Sequence, residues 1–95
     1  MNSSIYQKGN TVKFKGRFGD FEDGERIINP DEVYLIIYDN NWQQIHKANV
    51  TETDEAGFYV AYHVFDKLGT FYYEWLGLFN GLPSLERKQI SIKWI

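Results

Sequence analysis

The sequence predicts an all-β fold, a single seven-stranded Greek-key sandwich over residues 1–95. Three observations lead there. The apolar residues recur with a period of two, the signature of strands, and no segment keeps a helical period over a useful length. Gly, Asn, Asp and Pro cut the chain into short segments at regular spacing. No strand–helix alternation of the kind that builds a parallel sheet is present.

A short first strand is expected around Ile5 to Gln7. In the second, Val12, Phe14 and Phe18 alternate with Lys13, Lys15 and Arg17, giving one core face and one solvated face. Gly19 to Asp31 is the longest irregular stretch, and its length suits a crossing from one sheet to the other. Val33, Leu35 and Ile37 then alternate with Tyr34, Ile36 and Tyr38. Both faces are apolar, so this strand is expected to be central and covered on both sides. Asp39-Asn40-Asn41 supplies a turn in which an Asn takes the left-handed conformation. Trp42 to Ala48 reads as a polar edge strand with Ile45 as its core residue. After Glu55-Ala56-Gly57, the alternation Phe58, Val60, Tyr62, Val64 predicts a fifth strand with those side chains inward. Leu68-Gly69 precedes the sixth, Phe71, Tyr73 and Trp75. Asn80-Gly81 and Pro83 interrupt the chain before the seventh, Ile90, Ile92 and Trp94. Phe14, Leu35, Val60, Tyr73 and Ile92 are the expected core.

The length fits one domain near the small end of the usual range. Hydrophobic residues at 43% with a formal net charge of −3 exclude the low-hydrophobicity, high-charge regime of disorder. Seven Tyr, seven Phe and three Trp give a thin core much area per residue. The absence of cysteine excludes a disulfide framework, thiolate metal sites and a cysteine nucleophile. A sequence pI of about 5.3 argues against nucleic acid as partner, and Lys13, Lys15 and Arg17 read as a solvated strand face. Met1-Asn2-Ser3-Ser4 has no basic region leading into an apolar stretch, so neither a signal peptide nor a membrane partner is expected. A stand-alone product made in a reducing compartment is the expectation.

Candidate chemistry is sparse. His46 is expected in solvent on the edge strand, and His63 on the face opposite the apolar alternation. No nucleophile elbow, paired metal-binding histidines or phosphate loop is present, so neither catalytic residues nor a cofactor is expected. Asp20, Asp23 and Asp31 fall in the long irregular stretch, but their spacing does not match a calcium loop. The simpler reading is a solvated acidic segment with no metal. The informative residues are aromatic. Tyr34, Tyr38, Tyr59 and Tyr72 lie opposite the strongest core alternations and together with Ile36 form a candidate outward surface. Tyrosine suits interfaces because it joins apolar area to a hydrogen-bonding tip.

The segments Gly9-Asn10-Thr11-Val12, Asn29-Pro30-Asp31-Glu32-Val33, Thr53-Asp54-Glu55-Ala56-Gly57-Phe58-Tyr59 and Leu68-Gly69-Thr70-Phe71-Tyr72-Tyr73-Glu74-Trp75 follow one another along nearly the whole chain. This order resembles immunoglobulin-like sandwich modules of the alpha-macroglobulin and bacterial Ig-like kind, and in its short, cysteine-free form the Ig-like proteins of tailed bacteriophages. The resemblance carries no catalytic residues. It implies an immunoglobulin-like Greek-key fold and a non-enzymatic role. It also implies a place in a virion made in the host cytoplasm, as a multi-copy capsid decoration, neck, tail or fibre subunit contacting other virion proteins. The alternative it leaves is an extracellular adhesion or carbohydrate-binding module of a bacterial surface protein.

Overall fold

The computed structural model describes residues 3–18 and 29–94, and no helix occurs among them. Seven strands follow in order: β1 (Ser3–Gln7), β2 (Thr11–Gly16), β3 (Glu32–Tyr38), β4 (Gln44–Asn49), β5 (Tyr59–Val64), β6 (Gly69–Phe79) and β7 (Leu82–Lys93). They form a five-stranded sheet in the order β1-β7-β6-β3-β4 and a two-stranded sheet of β2 and β5. The β1–β7 pair is parallel and the other pairs are antiparallel. The chain therefore changes sheet between β2 and β3, as the length of that connection suggested. Asp20 and Asp23 lie outside the described residues. Asp31 is engaged locally: its N–H donates to the Leu78 carbonyl, and its carboxylate accepts the Asn80 N–H at 2.8 Å.

The core fills the space between the sheets. Val12, Phe14 and Phe18 meet Val33, Leu35, Ile37, Phe71, Trp75, Ile90 and Ile92, with Val50 and Phe65 closing the sides. Aromatic rings span the gap: Phe14 stands edge-on to Tyr73 at 4.8 Å, and Phe65 tilts against Phe71 at 4.8 Å. The first is the T-shaped geometry that ring quadrupoles favour.

Several local expectations are corrected. In β5 the inward residues are Tyr59, Ala61 and His63, continued by Phe65, while Tyr62 and Val64 are about half exposed. Pairing with β2 sets this register, because inward Val12, Phe14 and Gly16 stand opposite His63, Ala61 and Tyr59. A one-residue change of register exchanges every side chain between faces. Val60 is buried as expected but on the outer side, where its N–H donates to the Glu52 carbonyl of the chain running alongside.

In β4, Ile37 faces His46 and Tyr38 faces Gln44, so Ile45 is the extra residue of a bulge and lies exposed. The inward β4 residues are His46 and Ala48. In the preceding turn the left-handed residue is Trp42 (φ 62°), not an Asn.

Asn80-Gly81 joins strands rather than separating them. Both residues have positive φ, and Phe79 pairs with Leu82, so this is a two-residue hairpin that makes β6 and β7 the longest strands. Trp94 lies beyond β7 and is exposed. Finally, β3 is an interior strand as expected, between β6 and edge strand β4, but Tyr34 and Tyr38 on its outer side are only half-buried. Ile36, on the outer side of β3, is nonetheless buried by its neighbours in the sheet.

Candidate functional site

The outer face of the five-stranded sheet carries the aromatic group. Tyr34 and Tyr38 leave β3 on the side opposite Leu35 and Ile37, and Tyr72 leaves β6 on the same side. Tyr38 and Tyr72 are register partners, and all three rings are half-buried. Tyr59 does not join them. It lies in the two-stranded sheet with its ring 6.0 Å from Phe18, packed against the core.

The β3–β4 turn adds Trp42 to this face. One carboxylate oxygen of Asp39 accepts the N–H groups of Asn41 and Gln43, each at 2.9 Å, and the Asp39 carbonyl accepts the Trp42 N–H at 3.0 Å. These bonds fold the turn back over the sheet and place the indole flat on Tyr72, with centroids 4.0 Å apart and planes 15° apart. The Tyr38 ring lies 6.0 Å away. A left-handed backbone at a bulky residue costs on the order of 1–3 kcal/mol and persists only where the surroundings impose it. Here the Asp39 bonds and the ring stack impose it, leaving Trp42 49% exposed.

An ion pair backs the aromatic surface. Glu74 points outward from β6 yet is 5% exposed, and Arg87 faces it from β7. The Arg87 Nε and Nη2 groups donate to one Glu74 oxygen at 3.0 and 2.7 Å. A desolvated carboxylate needs such a partner. The pairing also fixes the guanidinium 5.1 Å from the Trp42 ring and 6.0 Å from Tyr38, within cation–π range. Trp42, Tyr72, Arg87, Lys88 and Gln89 line a shallow cleft of about 200 Å³. Towards the hairpin the same face continues through Tyr34, Leu76 and the exposed Leu85, with the Lys47 ammonium 4.9 Å from the Tyr34 ring.

Trp42, Glu74 and Arg87 were not singled out in the sequence. The pair was legible from the Asn80-Gly81 turn: residues equidistant from a two-residue turn face each other, which puts Glu74 opposite Arg87 and Tyr72 opposite Gln89. Trp42 had no such signal, since Trp is a poor candidate for a left-handed position.

The two histidines meet at the open side of the sandwich. His46 of β4 and His63 of β5 point inward, with ring centroids 4.5 Å apart, and His63 stands edge-on to Phe65 at 4.8 Å. Burial lowers the His63 pKa from its ordinary 6.5, the nearby His46 lowers it further, and Asp66 opposes this in part. The fold thus favours the neutral imidazole, so stability present above the unfolded value is lost as pH falls through 6.5 towards the lower folded value. Asp54 acts in the same direction at lower pH. Its pKa is depressed chiefly by the Phe58 N–H, with further help from Lys15 and the Ala56 N–H, so its contribution is lost only in the acid carboxylate range. We expect the melting temperature to fall between about pH 7 and 5, and His63→Gln to remove that part of the slope. A flat profile in the parent chain over that window would contradict this placement of His63.

No protein-family model, curated protein or solved structure matches the chain.

Proposed function

We propose that this chain is a non-enzymatic binding module that docks a protein partner on the outer face of its five-stranded sheet. The observation that carries this reading is the cluster of Tyr38, Tyr72 and Trp42 held in place by the Glu74–Arg87 pair. A group of large, partly exposed aromatics flanked by apolar Leu76 and Leu85 is the composition of a contact surface. An immunoglobulin-like Greek key is the finer fold reading. It is supported by the parallel pairing of first and last strands and by the exchange of β2 and β5 into the second sheet. With the sequence resemblance, it supports the narrower proposal of a tailed-bacteriophage virion component, bound in multiple copies to capsid, neck or tail subunits.

The test is co-assembly of purified variants with the candidate shell or tail partner. Tyr38→Ser, Tyr72→Ser and Trp42→Ser are each expected to weaken association, with the central residue costing about 2 kcal/mol or more. On a symmetric shell such losses multiply by avidity. Tyr59→Ser is the counter-control, expected to lower the melting temperature because its ring packs on the core. Unchanged association in all three face variants removes this surface as the interface. A carbohydrate ligand is the second reading, favoured by the flat, half-exposed indole of Trp42. A saturable response to neutral oligosaccharides that Trp42→Ser abolishes would select it.

A further inference from the structure

We propose that His46 and His63 form a two-imidazole site for a borderline divalent metal ion, Zn(II), Ni(II) or Cu(II), clasping the two sheets at the open side of the sandwich. The site is separate from the aromatic face and does not depend on its function. The strands that carry the histidines are not hydrogen-bonded to each other: β4 is the edge of the large sheet, and β5 belongs to the small one. Each imidazole points into the gap between them, and their centroids are 4.5 Å apart with planes 40° apart. No hydrogen bond occupies either ring among the described residues.

The separation fits one shared ion. Zinc–imidazole bonds are about 2.0–2.1 Å long, so an ion bonded to a nitrogen of each ring lies roughly 3 Å from each centroid. Two centroids 4.5 Å apart then subtend about 90° at the metal, the cis angle of octahedral and square-planar sites. Modest side-chain rotation of two partly exposed rings is the adjustment required.

The cleft beside the pair is acidic on balance. Asp39, Asp66 and Lys67 line the cleft of about 380 Å³ next to His63. Two carboxylates against one ammonium leave a net negative charge, which stabilises a bound cation. Metal ligation uses the neutral imidazole, so protons compete with the ion for the rings. Among the described residues no third His, Asp or Glu converges with the pair. Water therefore completes the coordination, and the ligand set selects imidazole-preferring metals over calcium and magnesium, which demand oxygen cages.

The consequence is structural: an ion held by one residue from each sheet binds the folded state and not the unfolded one, and so raises its stability by mass action. The experiment uses the tag-free full chain. Its melting temperature is measured at pH 7.5 with Zn(II) or Ni(II) at about 100 μM, with Ca(II) and Mg(II) as controls. A rise of several degrees with the first two only is expected, and it should vanish at pH 5, where protons compete for the rings. His46→Gln, on the edge strand, should fold and lose the response. His63→Gln should lose it as well. Cu(II) added in one equivalent should show nitrogen superhyperfine splitting from both imidazoles. No rise with Zn(II) and Ni(II), or a rise that survives in both variants, overturns the site.

Discussion

Replacing Leu35 with Ala is expected to destabilise the domain by about 2–5 kcal/mol, the range of large-to-small changes in tight cores. Leu35 has no exposed surface, and it lies on the inner side of β3 between cross-strand partners Trp75 and Ala48. Two effects add. The removed carbons lose their transfer free energy, and the cavity left behind persists because the site cannot collapse: β3 is hydrogen-bonded on both sides, to β4 and β6. Domains of this size have about 5–15 kcal/mol in total, so the variant would lose a large share of its stability. Ile36→Ala is the comparison. Ile36 is also buried, but on the outer face, where only neighbours in the sheet cover it and can move inwards. Urea denaturation of both variants should give a clearly larger midpoint shift for Leu35→Ala. A loss below about 0.5 kcal/mol there would be the behaviour of a surface substitution and would contradict its burial.

The same physics explains which parts of the fold were legible in the sequence. In β2 and the residue that follows it, the outward residues include Lys13, Lys15 and Arg17, so period and polarity agree and only one register keeps charge out of the core. In β5 they disagree. The outward set Val60, Tyr62 and Val64 is as apolar as the inward set Tyr59, Ala61 and His63, and the alternation alone selects the wrong side. What decides the side is tertiary: Phe65 and Tyr59 reach the rings of Phe14, Phe71 and Phe18, a fact about neighbours distant in sequence. The candidate face was legible to the extent that it depends on strand parity. Tyr34, Tyr38 and Tyr72 share it because β3 and β6 are adjacent and in register. Tyr59 followed the β5 error onto the wrong surface. Trp42 depends on a strained turn, and strain imposed by Asp39 bonds and ring stacking leaves no mark in composition or period.

Gly16→Ala is expected to destabilise the domain although the exchange normally helps a strand. Gly costs conformational entropy on folding, and replacing it where space permits stabilises by roughly 0.4–1 kcal/mol. At Gly16 space does not permit. An added Cβ would stand 2.6–2.8 Å from the Cδ2, Cε2 and Cγ atoms of Trp75 across the sandwich. Trp75 is 3% exposed, so its ring is held by the core and cannot swing aside as a flexible chain end would. Gly77 meets Phe18 in the same way from the opposite sheet, with a nearest approach of 2.6 Å, so the two layers come together where a glycine faces a ring. Overpacking of this kind costs about 1–3 kcal/mol, which outweighs the entropic gain and fixes the sign. Gly16→Val should cost more. The decisive measurement is a double-mutant cycle with Trp75→Leu. That change alone leaves a cavity, yet combined with Gly16→Ala it relieves the clash, so the joint loss should fall short of the sum by about 0.5–3 kcal/mol, the range for residues in contact. Strict additivity, or a Gly16→Ala chain as stable as the parent, would show that β2 and β6 do not approach this closely at Trp75.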